Sequence, residues 1–171
     1  MTRRVYLDYN ATSPLRSESR EAMLAAMDVV GNPSSVHSEG RSAKSIVERA
    51  RNQISEAFGC GAHDIVFTGS ATEAAALALK DRGFSAGDVE HNAVAAWAQP
   101  NLNVTSGQVM VANPAKTALQ LANSETGIVQ VVPHGIGFCD MTQAFGKLAT
   151  SFIWSGAEMA CASAHKLGGP K

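Results

Sequence analysis

Apolar residues recur at helical spacing in two segments near the start of the chain. The first segment covers 17–30, and its apolar face comprises Ala22, Met23, Ala26, Met27 and Val30. The second runs from about 42 to 58, with one apolar face and one face of charged side chains, and Gly59 is a typical helix stop. The pattern predicts two helices, separated by the turn-forming sequence Gly-Asn-Pro-Ser-Ser at 31–35.

Short apolar runs elsewhere predict β-strands. These runs lie at 5–8, 64–68, 108–111, 117–122, 135–140 and 159–164. Helices are predicted to begin near Thr72, after a small-residue turn, and at Asn92. The connection from 122 to 135 has room for only about one small helix. Strand-forming runs that alternate with helices predict an α/β fold with a mostly parallel sheet.

Composition narrows the class of protein. The chain has 171 residues, 45% of them hydrophobic, a net charge of -1 and a pI near 6.5. One domain that buries a core is therefore expected, and nothing favours nucleic acid or an anionic membrane surface as a partner, so the substrate is expected to be small. We expect a cytoplasmic protein, because the first residues do not resemble a secretory signal and no apolar segment approaches membrane-spanning length.

The cysteines predict neither disulfides nor a metal site. Cys60, Cys139 and Cys161 form an odd and widely spaced set, which suits a reducing compartment. Cys60 and His63 form a C-x-x-H pair, but no second pair of ligands stands at useful spacing, whereas a structural zinc normally has four ligands.

Four polar clusters follow the ends of predicted strands. They occupy 69–72, 123–125, 140–143 and 163–166. Because the carboxyl ends of parallel strands face one crevice, these clusters could converge on a single site. The convergence is the main argument for a binding site that rests on the residues alone.

Taken singly, each cluster has a plainer interpretation. The segment 69–72 could bind an anion at a helix start, but an ordinary N-cap formed by Thr72 is the simpler explanation. Asp140 could be a turn former, and His91 a helix-end histidine. The pair at 165–166 could be a charged surface turn, although a lysine amine in a crevice is also what Schiff-base chemistry needs.

Seven motifs, in order along the chain, match one known family. They are Tyr-Leu-Asp-Tyr-Asn-Ala-Thr-Ser-Pro at 6–14, Gly-Asn-Pro-Ser-Ser at 31–35, Ile-Val-Phe-Thr at 65–68 with Ala-Thr-Glu at 71–73, Glu-His at 90–91, Asn-Ser-Glu-Thr-Gly-Ile-Val-Gln at 123–130, Asp-Met-Thr-Gln at 140–143 and Ser-Ala-His-Lys-Leu-Gly-Gly-Pro at 163–170. Together they resemble the landmarks of class V aminotransferases of the cysteine desulfurase type. The last two motifs are the most specific, and the resemblance covers nearly the whole chain.

The resemblance implies a three-layer α/β sandwich with a mostly parallel sheet, the large domain of the aspartate-aminotransferase type (fold type I), which binds pyridoxal 5'-phosphate. It makes Lys166 the Schiff-base lysine and pairs Asp140 with the pyridine nitrogen. Gln143 would donate toward the phenolic oxygen, and His91 would stack on the ring and help to move protons. The remaining cofactor contacts implied are Ala71, Thr72, Ser163 and His165 at the phosphate, and Ser124.

The chain departs from the family pattern at two places in the expected site. Gly69 and Ser70 stand in the reverse of the usual order beside the phosphate, which affects the geometry of that loop. Ser124 replaces the usual asparagine, and its shorter hydroxyl is expected to reach the cofactor only through water.

Family members also continue beyond the lysine for roughly another domain. We therefore expect an apparently incomplete chain, in which 1–15 pack with a C-terminal small domain outside these residues and 16–171 form the cofactor-binding large domain. The resemblance places the nucleophilic cysteine and the arginine for the substrate carboxylate in that outside part. None of the three cysteines of this chain aligns with the nucleophile.

The implied activity is removal of sulfur from L-cysteine, giving L-alanine and an enzyme-bound persulfide. A homodimer is implied, with a sulfur-acceptor protein as a further partner. Two alternatives stay open. One is another class V enzyme, such as a selenocysteine lyase or an aminotransferase-like enzyme, and the other is a non-catalytic fragment that binds the cofactor or a partner.

Overall fold

The computed structural model describes residues 4–61 and 64–171, which form two compact units. The first unit combines the described residues up to Val66 with Ala164–Lys171, and the second is Phe67–Ser163. Each unit is described by itself below. None of the helices formed by the described residues is both long and apolar enough to cross a membrane.

The first unit contains the two predicted helices. Helix α1 covers Ser17–Met27 and ends earlier than its pattern predicted, while α2 covers Ser38–Phe58. Gly59 ends α2 with a φ of 66°, as predicted, because glycine adopts the left-handed region without strain. Helix α2 begins four residues earlier than predicted, since the side chain of His37 accepts a hydrogen bond from the backbone N–H of Gly40.

Two predicted strands are absent. Residues 5–8 form no strand, since the Tyr6 hydroxyl and the Ala11 amide both fold back onto the carbonyl of Asp8. The prediction at 64–68 was also wrong. The Ile65 carbonyl accepts a hydrogen bond from the Arg51 guanidinium instead of from a neighbouring strand. Strand propensity alone was misleading at both places, because a strand forms only where a second strand supplies ladder partners.

The second unit has three helices and seven short strands. The helices are α3 (Ala71–Leu79), α4 (Asn92–Ala95) and α5 (Phe152–Ser155). The strands are β1 (Phe84–Gly87), β2 (Ala98–Leu102), β3 (Val104–Thr105), β4 (Gln108–Val109), β5 (Ala118–Gln120), β6 (Phe138–Asp140) and β7 (Ala160–Cys161). The described residues also include the 3₁₀ turns Pro114–Lys116 and, in the first unit, Ala164–Lys166.

Strand pairing in the second unit is mostly parallel, as predicted. Strands β5, β6 and β7 form one parallel sheet in that order, and β1 pairs with β2 in parallel. An isolated parallel bridge between Ser85 and Thr117 links β1 to the start of β5. Only β3 and β4 pair antiparallel among the described strands. Strands β4, β5, β6 and β7 lie within predicted runs but are shorter, whereas β1, β2 and β3 were missed.

The connection from β5 to β6 contains no helix, although the sequence left room for a small one. Asn123 turns the chain instead, because its Oδ1 accepts the N–H groups of Glu125 and Thr126 at 2.9 and 2.8 Å. The chain then runs back along itself, and the N–H of Gln130 donates to the carbonyl of Leu121 at 2.8 Å. This turn brings polar side chains to the carboxyl end of β5.

Small and aromatic side chains form the core of the second unit. Ala75 and Leu79 of α3 belong to one buried apolar cluster with Phe84 of β1 and Phe138 of β6. The side chains of β5 and β6 are all buried. Burial at this level fixes the backbone positions from which the polar side chains at the strand ends project.

Candidate active site

Polar residues gather where the parallel strands of the three-stranded sheet end. Gln120, Asp140 and Cys161 stand in register across β5, β6 and β7. Three of the four predicted clusters therefore follow strands of one sheet, which was the expected arrangement, although only Ser163 of the last cluster lies in the second unit. The fourth cluster, at 69–72, is preceded by no strand.

Asp140 is the central acid of this edge. It ends β6 and is only 8% exposed. Its Oδ1 accepts hydrogen bonds from the backbone N–H of Thr142 at 2.9 Å and from the Sγ of Cys161 at 3.5 Å. Both donors reach Oδ1. Oδ2 accepts no hydrogen bond from the residues that the structure describes, so it can receive another N–H donor.

Glu90 is a second buried acid, for which the sequence had indicated no role. Its Oε1 accepts the backbone N–H of Gln120 at 3.0 Å, but its Oε2 is buried without a hydrogen-bond partner among the described residues. Burial raises the pKa of Glu90 to about 8, and the negative charge of Asp140 adds to the rise. An acid buried with an unpaired oxygen is a signal that only the structure could supply.

The loop that carries Glu90 is fastened to the end of β5. The carbonyl of Val89 accepts Nε2 of Gln120 at 2.5 Å and Nδ2 of Asn123 at 2.9 Å. Gln120 and Asn123 are therefore site-shaping residues whose role was not predicted. Their buried amides fix the backbone on which Glu90 and His91 stand.

His91 caps α4, as its plainer interpretation predicted. Its Nδ1 accepts the N–H of Ala93 at 3.1 Å, and its side chain is exposed. With Nδ1 used as an acceptor, the neutral ring carries its proton on Nε2. The exposed face of the ring leaves room for stacking, and that role stays a prediction.

Gln143 and Ser124 flank the two strand ends. The Oε1 of Gln143 accepts a hydrogen bond from Nζ of Lys147 at 2.5 Å, four residues further along the chain. The N–H of Ser124 donates to Oε1 of Gln120 at 3.2 Å. Both side chains are half-buried, and their contacts with a cofactor stay predictions.

The N-terminus of α3 corrects one expectation. Ser70 is the N-cap, and its Oγ accepts the N–H of Glu73 at 3.1 Å, so Thr72 does not cap this helix. The Glu73 carboxylate in turn accepts the N–H of Gly69 at 2.6 Å, which forms a reciprocal cap. Ala71 and Thr72 lie in the first turn, where unpaired N–H groups favour an anion.

Lys166 and His165 lie in the first unit, in the 3₁₀ turn. The Lys166 Nζ donates to the carbonyl of Asn10, and the Lys166 carbonyl accepts the Ser13 hydroxyl at 2.8 Å. The Nδ1 of His165 lies 3.1 Å from the Thr12 hydroxyl. Segment 10–16 thus holds the turn that carries the predicted Schiff-base lysine. The expected division into 1–15 and 16–171 stays a prediction.

The cysteines are ill suited to nucleophilic chemistry. Cys139 is fully buried, and burial, with the charges of Asp140 and Glu90, raises the pKa of its thiol to about 12. Burial and Asp140 also raise the pKa of Cys161 above its ordinary value. The pKa of Cys60 is raised by burial and then by Asp64. His63, the other residue of the C-x-x-H spacing, lies outside the described residues.

The family assignment follows from comparison with known proteins. The family model described as aminotransferase class-V matches residues 5–101. This chain belongs to the class V aminotransferase family. A cysteine desulfurase of Frankia sp. is 32% identical over 212 residues, which cover 98% of this chain and 51% of the relative. A human selenocysteine lyase is 34% identical over 179 residues, which cover 77% of this chain and 40% of the relative.

Solved structures agree with this assignment. The NifS-like protein from Rickettsia africae ESF-5 superposes with a TM-score of 0.83 at 30% identity, covering 98% of this chain and 56% of that structure. This likeness confirms the α/β, fold type I large domain that the sequence predicted. The chain spans about half the length of the curated relatives it matches.

The comparison also shows a difference in length within the matched region. The match to the Frankia protein extends over 212 residues, whereas this chain has 171 in total. The relative therefore carries residues within the matched region that this chain lacks. In the second unit, α4 and α5 have four residues each and the connection from β5 to β6 has no helix.

Proposed function

We propose that this chain is the cofactor-binding part of a pyridoxal-phosphate-dependent cysteine desulfurase. The observation that carries the proposal is Asp140, a buried carboxylate at the end of the middle strand with one oxygen available to a further donor. Class V aminotransferases and cysteine desulfurases depend on pyridoxal phosphate, and a buried carboxylate oxygen that can accept an N–H suits the ring nitrogen of this cofactor.

The second unit supplies most of the proposed contacts. Asp140 would accept the N–H of the pyridine ring, and Gln143 would donate to the phenolic oxygen. His91 would stack on the ring and, with the proton of its neutral form on Nε2, would donate from that atom. When bound, the cofactor supplies an electron sink that weakens bonds at the amino acid's α-carbon and β-carbon.

The phosphate would lie at the start of α3. The backbone N–H groups of Ala71 and Thr72 are in the first helical turn and are suited to an anion, and Ser163 would add its hydroxyl. The Glu73 carboxylate already uses the N–H of Gly69. The exchanged order of Gly69 and Ser70 therefore leaves fewer donors for the phosphate at this loop, and we expect weaker cofactor affinity than the usual order would give.

The family resemblance assigns roles to two residues of the first unit, Lys166 and His165. Lys166 would anchor the cofactor covalently through its Nζ, and His165 would contact the phosphate. The Lys166 amine donates to the Asn10 carbonyl, so it must release that oxygen and lose a proton before it acts as a nucleophile.

The sulfur chemistry requires a thiol that this chain does not offer. Cys60, Cys139 and Cys161 all have a raised thiol pKa, and the latter two are buried. A thiolate is the reactive form, so these residues are poor persulfide carriers. We therefore propose that a cysteine outside these 171 residues attacks the sulfur of L-cysteine, leaving L-alanine as the product.

Titration of the purified chain with pyridoxal phosphate tests the proposal. We expect a visible absorbance band that is absent in Lys166→Ala and unchanged in the matched control Lys171→Ala, whose side chain is exposed at the end of the chain. An equal band in Lys166→Ala would contradict the assignment. Sulfide release from L-cysteine by the chain alone would contradict the proposal that the reactive thiol lies elsewhere.

The similarity to human selenocysteine lyase supports a second candidate function, which is cleavage of L-selenocysteine. The two functions share the cofactor and differ in the element released. Measuring selenide and sulfide release side by side, with the full-length protein that carries this segment, would distinguish them. Release of selenide without sulfide would favour the lyase.

The remaining parts of the proposal concern the cellular location of the protein and its partners. We propose a reducing, cytoplasmic environment, supported by three free cysteines. We also propose a homodimer and a sulfur-acceptor protein as partners, as the family resemblance implies. Sedimentation of the protein with and without cofactor would test the dimer.

A further inference from the structure

The burial of Glu90 disfavours the charged form of its side chain. It is 8% exposed, and its Oε1 accepts a single backbone N–H, from Gln120. Its Oε2 is buried and has no partner in the described part of the chain, where none of the ion pairs involves Glu90 either. A buried carboxylate oxygen without a donor is costly, whereas a protonated carboxyl is neutral.

Asp140, the nearby acid, differs from Glu90 in its hydrogen-bond donors. Asp140 receives an N–H from Thr142 and the thiol of Cys161 on its Oδ1. Hydrogen bonds from donors favour the charged form of a carboxyl group, and loss of water disfavours it. The two carboxyl groups therefore differ in their surroundings: one oxygen of Glu90 is buried without a donor, whereas Oδ1 of Asp140 receives two donors.

The titratable groups near Glu90 also favour its neutral form. Asp140 and Cys139 of β6 are the titratable groups whose charges interact with Glu90, and β5 contributes only the backbone N–H of Gln120. An ionised Asp140 repels a second negative charge, and no cation pairs with Glu90 among the described residues. Desolvation and this repulsion together raise the pKa of Glu90 to about 8.

We propose that Glu90 is a positioning residue that remains protonated, so that Asp140 alone carries the negative charge where the ring nitrogen of the cofactor would bind. The inference rests on the proposed function for the identity of the ligand. Loss of the proton from Glu90 places a second charge beside Asp140 and leaves a charged oxygen without a donor. It also strains the loop that carries His91, because the contact between Glu90 and Gln120 holds that loop in place.

Infrared spectroscopy of the chain without cofactor tests the proton directly. We expect a carboxylic-acid C=O band that persists at neutral pH, where ordinary carboxyl groups are ionised, and that disappears as the pH rises through about 8. Glu90→Gln should lack this band at neutral pH. Glu158→Gln is the matched control, because Glu158 is an exposed acid of the same unit and its removal should leave the band unchanged. Absence of the band in the wild-type chain would overturn the inference.

Affinity for pyridoxal phosphate tests the positioning role. At about one pH unit above the midpoint of the Glu90 titration, only about a tenth of the wild-type molecules keep the proton. The apparent affinity of the wild-type chain for pyridoxal phosphate should therefore fall about tenfold more than that of Glu90→Gln, whose amide is neutral at every pH. An equal fall in both proteins would overturn the positioning role. Failure of the wild-type chain to bind at any pH would refute the proposed function and the role with it, while the infrared band would still report the proton.

Discussion

Replacing Glu90 with glutamine should remove a specific dependence of stability on pH. The folded chain holds a proton on Glu90 up to about pH 8, whereas an unfolded glutamate releases it near 4.5. Between these values the folded state binds more protons than the unfolded state, so the free energy of unfolding falls as the pH rises. The stabilising effect of the proton is complete below about pH 4.5 and is lost as the pH passes through about 8.

The magnitude follows from the same linkage. Across that window the slope approaches about 1.4 kcal/mol per pH unit, which amounts to a few kcal/mol in total. Glu90 is well below a third exposed, so solvent screening removes little of this effect. In Glu90→Gln the slope should shrink by the contribution of this single group, and the variant should be the more stable protein at the alkaline end.

Urea unfolding at a series of pH values measures the effect. The wild-type chain, Glu90→Gln and the control Glu158→Gln should be followed by the same spectroscopic signal. Parallel pH profiles for wild type and Glu90→Gln would refute the reasoning, since they would show that Glu90 titrates alike in the folded and unfolded chains. A Glu158→Gln profile unlike that of wild type would show that surface charge dominates instead.

Two further predictions concern the neighbouring elements. Ser70→Ala should lower the free energy of unfolding by about 1 kcal/mol in urea titrations, because it removes the cap that accepts the N–H of Glu73; no loss would show that the cap is not formed. Iodoacetamide at mildly alkaline pH should label Cys60 well before Cys139 and Cys161 in the folded chain, since the latter two are buried with raised thiol pKa values, and mass mapping that finds all three labelled alike would contradict this order.

The sequence predicted the helices better than the strands, for a physical reason. Helix α2 depends on contacts between residues three and four apart, and its stop at Gly59 is a local signal. A strand depends on partners far along the chain. Strand β2 was missed because Pro100 argues against a strand, yet β2 pairs with β1 alone among the described strands, and an edge strand tolerates proline.

The same distinction holds for the site. Asp140 and His91 could be named because each belongs to a motif that resembles a family, and the structure places both beside the ends of parallel strands. The unusual state of Glu90 could not be predicted. It arises from burial and from contacts with β5 and β6, where the hydrogen-bond partner Gln120 lies 30 positions further along the chain and Asp140 lies further still. The capping of α3 by Ser70 rather than Thr72 likewise depends on a backbone conformation that the residue types leave open.

The central claim is that this chain binds pyridoxal phosphate through Lys166. Borohydride reduction of the chain after incubation with the cofactor, followed by peptide mass mapping, tests it most directly because reduction makes a lysine–cofactor bond permanent. We expect a cofactor adduct on Lys166 that is abolished by Lys166→Ala. An adduct spread over exposed lysines such as Lys44 and Lys171, or none at all, would contradict it.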